Sequence, residues 1–243
     1  MTRIIVRGLI VALMAIVAAS CQTARPPAPS GEGVTAFPSA AYDRAAARGT
    51  PVYDLNPDQS KLRAYVYRAG PMARQGHNHI IVARDWQGAL ALETGRPGEA
   101  RLDLRIPVAA LEVDPPGVRQ SLGGAFAERL DQSVREGTRG NMLAAERLMA
   151  DRYPVIGVSL AGVTGELPRP ILTLRVRARD ETTEVRVPVA VKRNGERIRA
   201  QGRLILSHRE LGMTPASAAG GALRVAEPIT VEFDLVGKRR DAD

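Results

Sequence analysis

Three histidines and one cysteine hold most of the reactive chemistry available to this 243-residue chain. Two of the histidines stand together in Gly76-His77-Asn78-His79, the densest polar cluster in a sequence otherwise built from apolar and arginine-rich segments. On an extended strand His77 and His79 share one face, about 6.6–7 Å apart along the chain. Imidazoles placed so at the mouth of a cavity, with Asn78 between them, can hydrogen-bond a ligand headgroup such as a pyrophosphate or a quinone oxygen. They can also begin a metal site, but zinc takes three or four protein ligands, and His208 and acids such as Glu210 are what remains to complete it. The third reading is structural, ring nitrogens tying down neighbouring backbone. His208 reads as a solvent-facing or barrel-end residue. Trp86 offers either a stacking surface for a ligand or ordinary packing. Arg139, between Gly137 and Asn141, is a cation that can meet a phosphate or simply face water.

Catalytic signatures are missing from the sequence. There is no Gly-x-Ser-x-Gly, no His-Glu-x-x-His, no phosphate loop and no Gly-x-Gly-x-x-Gly. No spacing singles out a pair of carboxylates. The expectation is a binding protein with no catalytic residue and no dedicated cofactor.

The cysteine has a different role. Arg3 and Arg7 form a short basic head, and Leu9 to Val17 an uncharged run suited to the core of a signal peptide. That run is too short to cross the ~30 Å hydrocarbon of a bilayer. The small residues Ala18-Ala19-Ser20 then lead directly to Cys21. This resembles a bacterial lipoprotein signal, with Cys21 acylated as the mature N-terminus; the alternative is an ordinary secretory signal cut after Ala19. Gln22 in place of Asp, by resemblance to sorted lipoproteins, implies a periplasm-facing outer-membrane anchor. For an exported protein, nucleic acid is not an expected partner. Its 34 basic residues against 26 acids then face lipid phosphates, or simply form a solvated exterior.

A composition of 44% hydrophobic, 25% charged and 4% aromatic residues belongs to a folded domain, and one cysteine excludes a disulfide scaffold. Residues 1–20 read as the signal and 21–50, rich in proline and small residues, as a flexible tether. Residues 51–237 form one domain and 238–243 a polar, disordered tail.

Period-two alternation dominates that domain. Leu62, Ala64 and Val66 oppose Lys61, Arg63, Tyr65 and Tyr67. Leu172, Leu174, Val176 and Ala178 oppose Thr173, Arg175, Arg177 and Arg179, and similar patterns fill 101–106, 185–191, 197–206 and 229–235. Such strands have one dry face and one wet face, as in antiparallel sheets. Asn194-Gly195 is a strong hairpin turn between two of them. Burying the arginine face would be prohibitive, so it must lie outside. A sheet of about eight such strands closes into a barrel that either fills with side chains or holds one small ligand. Slim aliphatic lining favours a cavity; a solid core is the alternative.

One stretch, near 115–150, is helical instead. Asp114-Pro115-Pro116 reads as a cap with proline in the first turn. Leu122, Phe126, Leu130 and Val134 recur at spacing four, Gly137 and Gly140 end the run, and Asn141 caps a shorter helix over 142–150. This insertion is placed to lie across one end of a barrel as a lid.

These pieces, in this order, resemble the YceI-like family of exported, lipocalin-like barrels associated with polyisoprenoid lipids. The resemblance rests on Tyr53-Asp54-Leu55-Asn56-Pro57 with Ser60-Lys61-Leu62, on Gly76-His77-Asn78-His79 and Trp86-Gln87-Gly88, and on Met142-Leu143 and Arg152-Tyr153-Pro154-Val155-Ile156. Arg209-Glu210-Leu211-Gly212 and Val225-Ala226-Glu227-Pro228-Ile229 complete it. Gln59, Tyr67 and Leu211 depart from the family's usual residues. The resemblance implies an up-and-down antiparallel barrel of about eight strands. It also implies a hydrophobic lipid ligand in the lumen (isoprenoid, quinone or acyl chain); the residues whose own chemistry could contact it are His77, Asn78, His79, Trp86 and Arg139. The rival expectations are a periplasmic metal-binding protein centred on His77 and His79, and a solid-core envelope protein that docks a partner.

Overall fold

Alternation of the kind seen in 61–68 gives a sheet one dry face, and closing such a sheet into a barrel buries that face and pairs its edges. In the structure, a computed structural model describing residues 36–93 and 95–241, that is what happens. Helix α1 (Ser39–Ala47) leads into β1 (Val52–Leu55), β2 (Lys61–Ala69), β3 (His79–Ala83), β4 (Gln87–Ala91), β5 (Arg101–Pro107) and β6 (Leu111–Val113). Helices α2 (Pro116–Leu122) and α3 (Gln132–Leu143) follow. Then come β7 (Val155–Thr164), β8 (Ile171–Ala178), β9 (Glu181–Asn194), β10 (Arg197–Ser207), the short β11 (Ser217–Ala218) and β12 (Leu223–Arg239).

Strands β1, β4, β5, β7, β8, β9, β10 and β12 neighbour one another in that order, and β12 returns to β1 through Tyr53↔Arg239, closing the ring. The wall is an eight-stranded antiparallel barrel, as the alternation and the resemblance imply. β2, β3 and β6 continue three of these strands past local breaks, pairing β12 with β2, β2 with β3 and β3 with β6. The first break is built locally: Asn56 Oδ1 accepts from the amides of Asp58 and Gln59, and the Ser60 hydroxyl donates to the Asn56 carbonyl while accepting from the Val236 amide. An Asx turn thus bends the strand without leaving its backbone groups orphaned.

Inside and outside sort as the sequence predicts. Val187 and Leu204 are buried, while Arg175, Arg186, Arg199 and Arg203 are exposed. Three of those arginines pair with acids on the neighbouring strand, Arg175 with Glu184, Arg199 with Asp234 and Arg203 with Glu232. The β9–β10 hairpin falls one residue later than its Asn-Gly signal suggests. Asn194 still pairs with Arg197, so the loop is Gly195-Glu196, with Gly195 taking the positive φ of 55°.

The ends of the domain differ from the sequence reading. Within the tether expected over 21–50, residues 39–47 instead form α1, whose Tyr42 is fully buried among Ala45, Val52, Ala89 and Ala91. Residues 40–47 look linker-like because they are mostly alanine, yet alanine is the best helix former and one tyrosine suffices to dock the helix. At the other end Lys238 and Arg239, assigned to the tail, are still paired in β12, and Arg240 bridges Asp43 and Asp54. The signal segment and Cys21 lie outside the described residues.

The helical insertion is present but divided differently. α2 ends at Gly123, which with Gly124 holds a positive φ, so the stripe from Leu122 to Val134 is not one helix. Gly137 and Gly140, expected to end the helix, lie inside α3, and residues 145–148 form a turn, not a second helix. Glycine inside a helix costs only about 1 kcal/mol, whereas two residues at positive φ break it outright.

Candidate functional site

The barrel encloses a cavity of about 420 Å³. That lies within the usual range for small-molecule pockets, about 300–1,000 Å³. Its wall is aliphatic from nearly every strand, with Leu62, Ala64, Val66, Leu174, Val189 and Val231 among its residues. Small residues keep it open. The ring of Phe233 stands over Gly202, where an added Cβ would come within 2.5 Å of it. One end of the cavity is apolar, bounded by residues such as Pro97, Leu167 and Pro170. The solid-core alternative therefore does not describe this interior.

At the opposite end polar groups meet the aliphatic wall. His79 opens β3, beside Val66, which pairs with Ile229, which pairs in turn with Leu206 at the end of β10. His208 follows directly. Both imidazoles line the cavity, together with Thr138, Asn141 and Met142 of α3, a set at i, i+3 and i+4 that shares one helix face. α3 thus covers this end of the lumen, as a lid would.

Each cavity histidine is oriented from behind. His79 Nδ1 lies 2.6 Å from Oδ2 of Asp114, which is completely buried. An ionised carboxylate only accepts, so Nδ1 carries the proton and Nε2 is the nitrogen left for the lumen. Asp114 takes two further hydrogen bonds, from the Ile80 amide at 2.9 Å and from Arg119 at 2.6 Å. Burial alone would raise its pKa. The hydrogen bonds from His79 and Ile80, the His79 charge and the Arg119 hydrogen bond together outweigh that and hold it below the ordinary carboxylate value. Arg119, also buried, donates to the backbone carbonyls of Asn78 and Glu128 as well. His208 Nδ1 lies 2.9 Å from the Glu227 carbonyl, which again leaves Nε2 free to face inward.

The predicted site residues separate. His79 reaches the lumen. His77 sits outside β3, its ring 6.3 Å from that of His79 in an edge-to-face arrangement, and its Nδ1 is bound to Glu128 at 3.0 Å. Asn78 holds the backbone, accepting from the Arg68 amide and donating to the Ala125 carbonyl. Trp86 is buried in the main core beside Gly88, Leu55 and Leu104 and is a packing residue. Arg139 donates to the Ala109 carbonyl on the outer side of α3, away from the lumen. Among the described residues no three His, Cys, Asp or Glu side chains converge on a point that could hold a metal. Both members of the His77/His79 pair are instead committed to carboxylates.

Four residues at this end of the barrel are not recognisable as such from the sequence. Asp114 was assigned as a helix cap, but α2 starts after Pro115 with no side-chain cap, and the carboxylate points back to β3 at a backbone φ of 50°. Arg119, three residues before Leu122 and seven before Phe126, falls on the side of the apolar stripe, but a charged residue there gives no sign of burial. Arg147, on the cavity wall, carries no signal in the sequence. His208, read as a barrel-end or solvent-facing residue, does lie at the barrel end but is buried on the cavity wall.

No family model and no curated protein matches the sequence. The fold does match solved structures. Burkholderia cenocepacia BcnA aligns over 75% of this chain and 99% of its own, with a TM-score of 0.56 at 14% identity. A cysteine mutant of a Campylobacter jejuni YceI protein aligns over 66% of this chain and 85% of its own, with a TM-score of 0.50 at 8% identity. The barrel, its eight-strand closure and its helical insertion form a YceI-like fold.

Proposed function

We propose that this YceI-like barrel binds one hydrophobic chain in its lumen, an isoprenoid, quinone tail or fatty acyl group, with the headgroup at the His79 end. The observation that carries this reading is the aliphatic cavity of about 420 Å³ with oriented imidazoles at one end. Burial of a chain in such a lumen is favourable by about 0.8 kcal/mol per CH₂. The polar end fixes direction, because an imidazole nitrogen left without a partner in a dry pocket is better matched by a head that bonds it.

The same proposal places the protein in the bacterial envelope as a carrier, exported by its N-terminal signal, acylated at Cys21 and facing the periplasm from the outer membrane. The basic head, the apolar run and the small residues before the cysteine support it. It has a ligand but performs no chemistry on it.

Mass spectrometry of lipid extracted from the purified protein tests the binding reading. A single class of long-chain lipid, at about one molecule per protein, is expected. A protein that carries none and takes up no quinone, isoprenoid or acyl probe would refute it.

A further inference from the structure

The lumen's polar end contains a cation that the histidine reading does not use. Arg147 lies on the cavity wall and its Nε is buried without a hydrogen-bond partner. Its ion pair with Glu146 is long, 3.4 Å, and the Glu146 side chain is 68% exposed. The backbone places Arg147 at the histidine end: the Glu146 carbonyl accepts from the Thr214 amide, and the adjacent Met213 amide donates to the His208 carbonyl. Arg63 also borders the cavity, but it alternates with the inward-facing Leu62 and Ala64 and bonds Tyr65 on the outer surface.

A buried guanidinium N–H without an acceptor costs free energy until an acceptor arrives, and charge-assisted bonds to oxyanions are the strongest available to it. The imidazoles suit the same partner. Nε2 of His79 or His208 accepts the proton of an acidic head when neutral and donates to its oxygens when protonated. The carboxylates nearby are already engaged, Asp114 by His79 and Arg119, Glu227 by the Arg209 amide and Glu210 by the Ser207 amide.

We infer that the guest is an acidic amphiphile, whose carboxylate or phosphate head is seated by Arg147, His79 and His208 while its chain runs toward Pro97 and Leu167. This rests on the lumenal-binding reading and narrows it, since a neutral quinone or alcohol oxygen accepts from Arg147 but leaves its charge unbalanced.

The test uses the delipidated full chain and three probes: a fluorescent polyene fatty acid, the alcohol of the same chain, and a prenyl monophosphate. The native protein should bind one or both acidic probes at least about tenfold more tightly than the alcohol, the size expected of one charge-assisted hydrogen bond. The two acidic arms distinguish a carboxylate from a phosphate head. Arg147→Met should remove the preference without weakening the alcohol, and Arg147→Lys should keep part of it. Thermal melts of both variants confirm folding. Equal affinity for acid and alcohol, or a preference that survives Arg147→Met, would overturn the acidic-head inference and leave the lumenal reading standing. Failure of all three probes would remove both.

Discussion

His79 and Asp114 meet at 2.6 Å across the seam between β3 and the turn after β6, the histidine on the lumen wall and the aspartate sealed behind it. The contact joins a cavity group to the helical insertion, because the same carboxylate binds Arg119 of α2. One side chain therefore orients the ligand-facing nitrogen and fastens the element covering the outer side of β2 and β3, where Phe126 packs on Tyr65.

Asp114→Asn should destabilise the fold by about 3–5 kcal/mol, since it leaves the buried Arg119 uncompensated. The acid response gives a second reading. Because the folded-state pKa of Asp114 is depressed, its contribution is present above the unfolded value, about 3.9, and is lost as pH falls through the lower folded value. Chemical denaturation at pH 5 and at more acidic pH should show the native protein losing more stability than the variant. Equal losses would mean that Asp114 is not a charged hub.

Tyr42 gives the opposite sign at alkaline pH. Its hydroxyl lies 2.9 Å from the Ala89 carbonyl and 2.8 Å from Asp103 Oδ2, one proton facing two acceptors. Burial first, and then the Asp103 charge, push its pKa well above the ordinary tyrosine value. Unfolded tyrosine ionises near pH 10 while the folded group stays protonated, so stability falls as pH rises above about 10. Tyr42→Phe should cost about 1–3 kcal/mol at neutral pH and show a shallower alkaline decline. An unchanged neutral stability would show that α1 is not held by this bond.

Gly202→Ala puts a methyl 2.5 Å from the Phe233 ring and should cost about 1–3 kcal/mol in urea denaturation. No loss would mean that Phe233 turns aside into the lumen, and ligand uptake would then fall instead.

The barrel wall was legible because each strand carries its own answer. Val187 between Arg186 and Pro188, or Leu204 between Arg203 and Ile205, needs no distant partner to choose a side. His79 was legible as a polar group near the cavity end, but its orientation was not. Asp114 is 35 residues away, and its proline neighbours made it look like a cap. Arg119 and Arg147 are hidden for the same reason, as burial of a charge is decided by a partner brought in through the fold. α1 escaped because alanine-rich sequence after prolines reads as linker, and what docks it, the Ala89 and Asp103 acceptors, lies on other strands.

The central claim is that the lumen is where a chain is held. Ala64 faces inward from β2, so Ala64→Phe fills the cavity without touching the outer surface. Titration of a polyene fatty acid into the delipidated native and Ala64→Phe proteins is the direct measurement. Saturable one-to-one binding by the native barrel, with at least about a tenfold loss in a variant that melts normally, is the expected result. Undiminished binding to the filled barrel would place the ligand elsewhere and contradict the account.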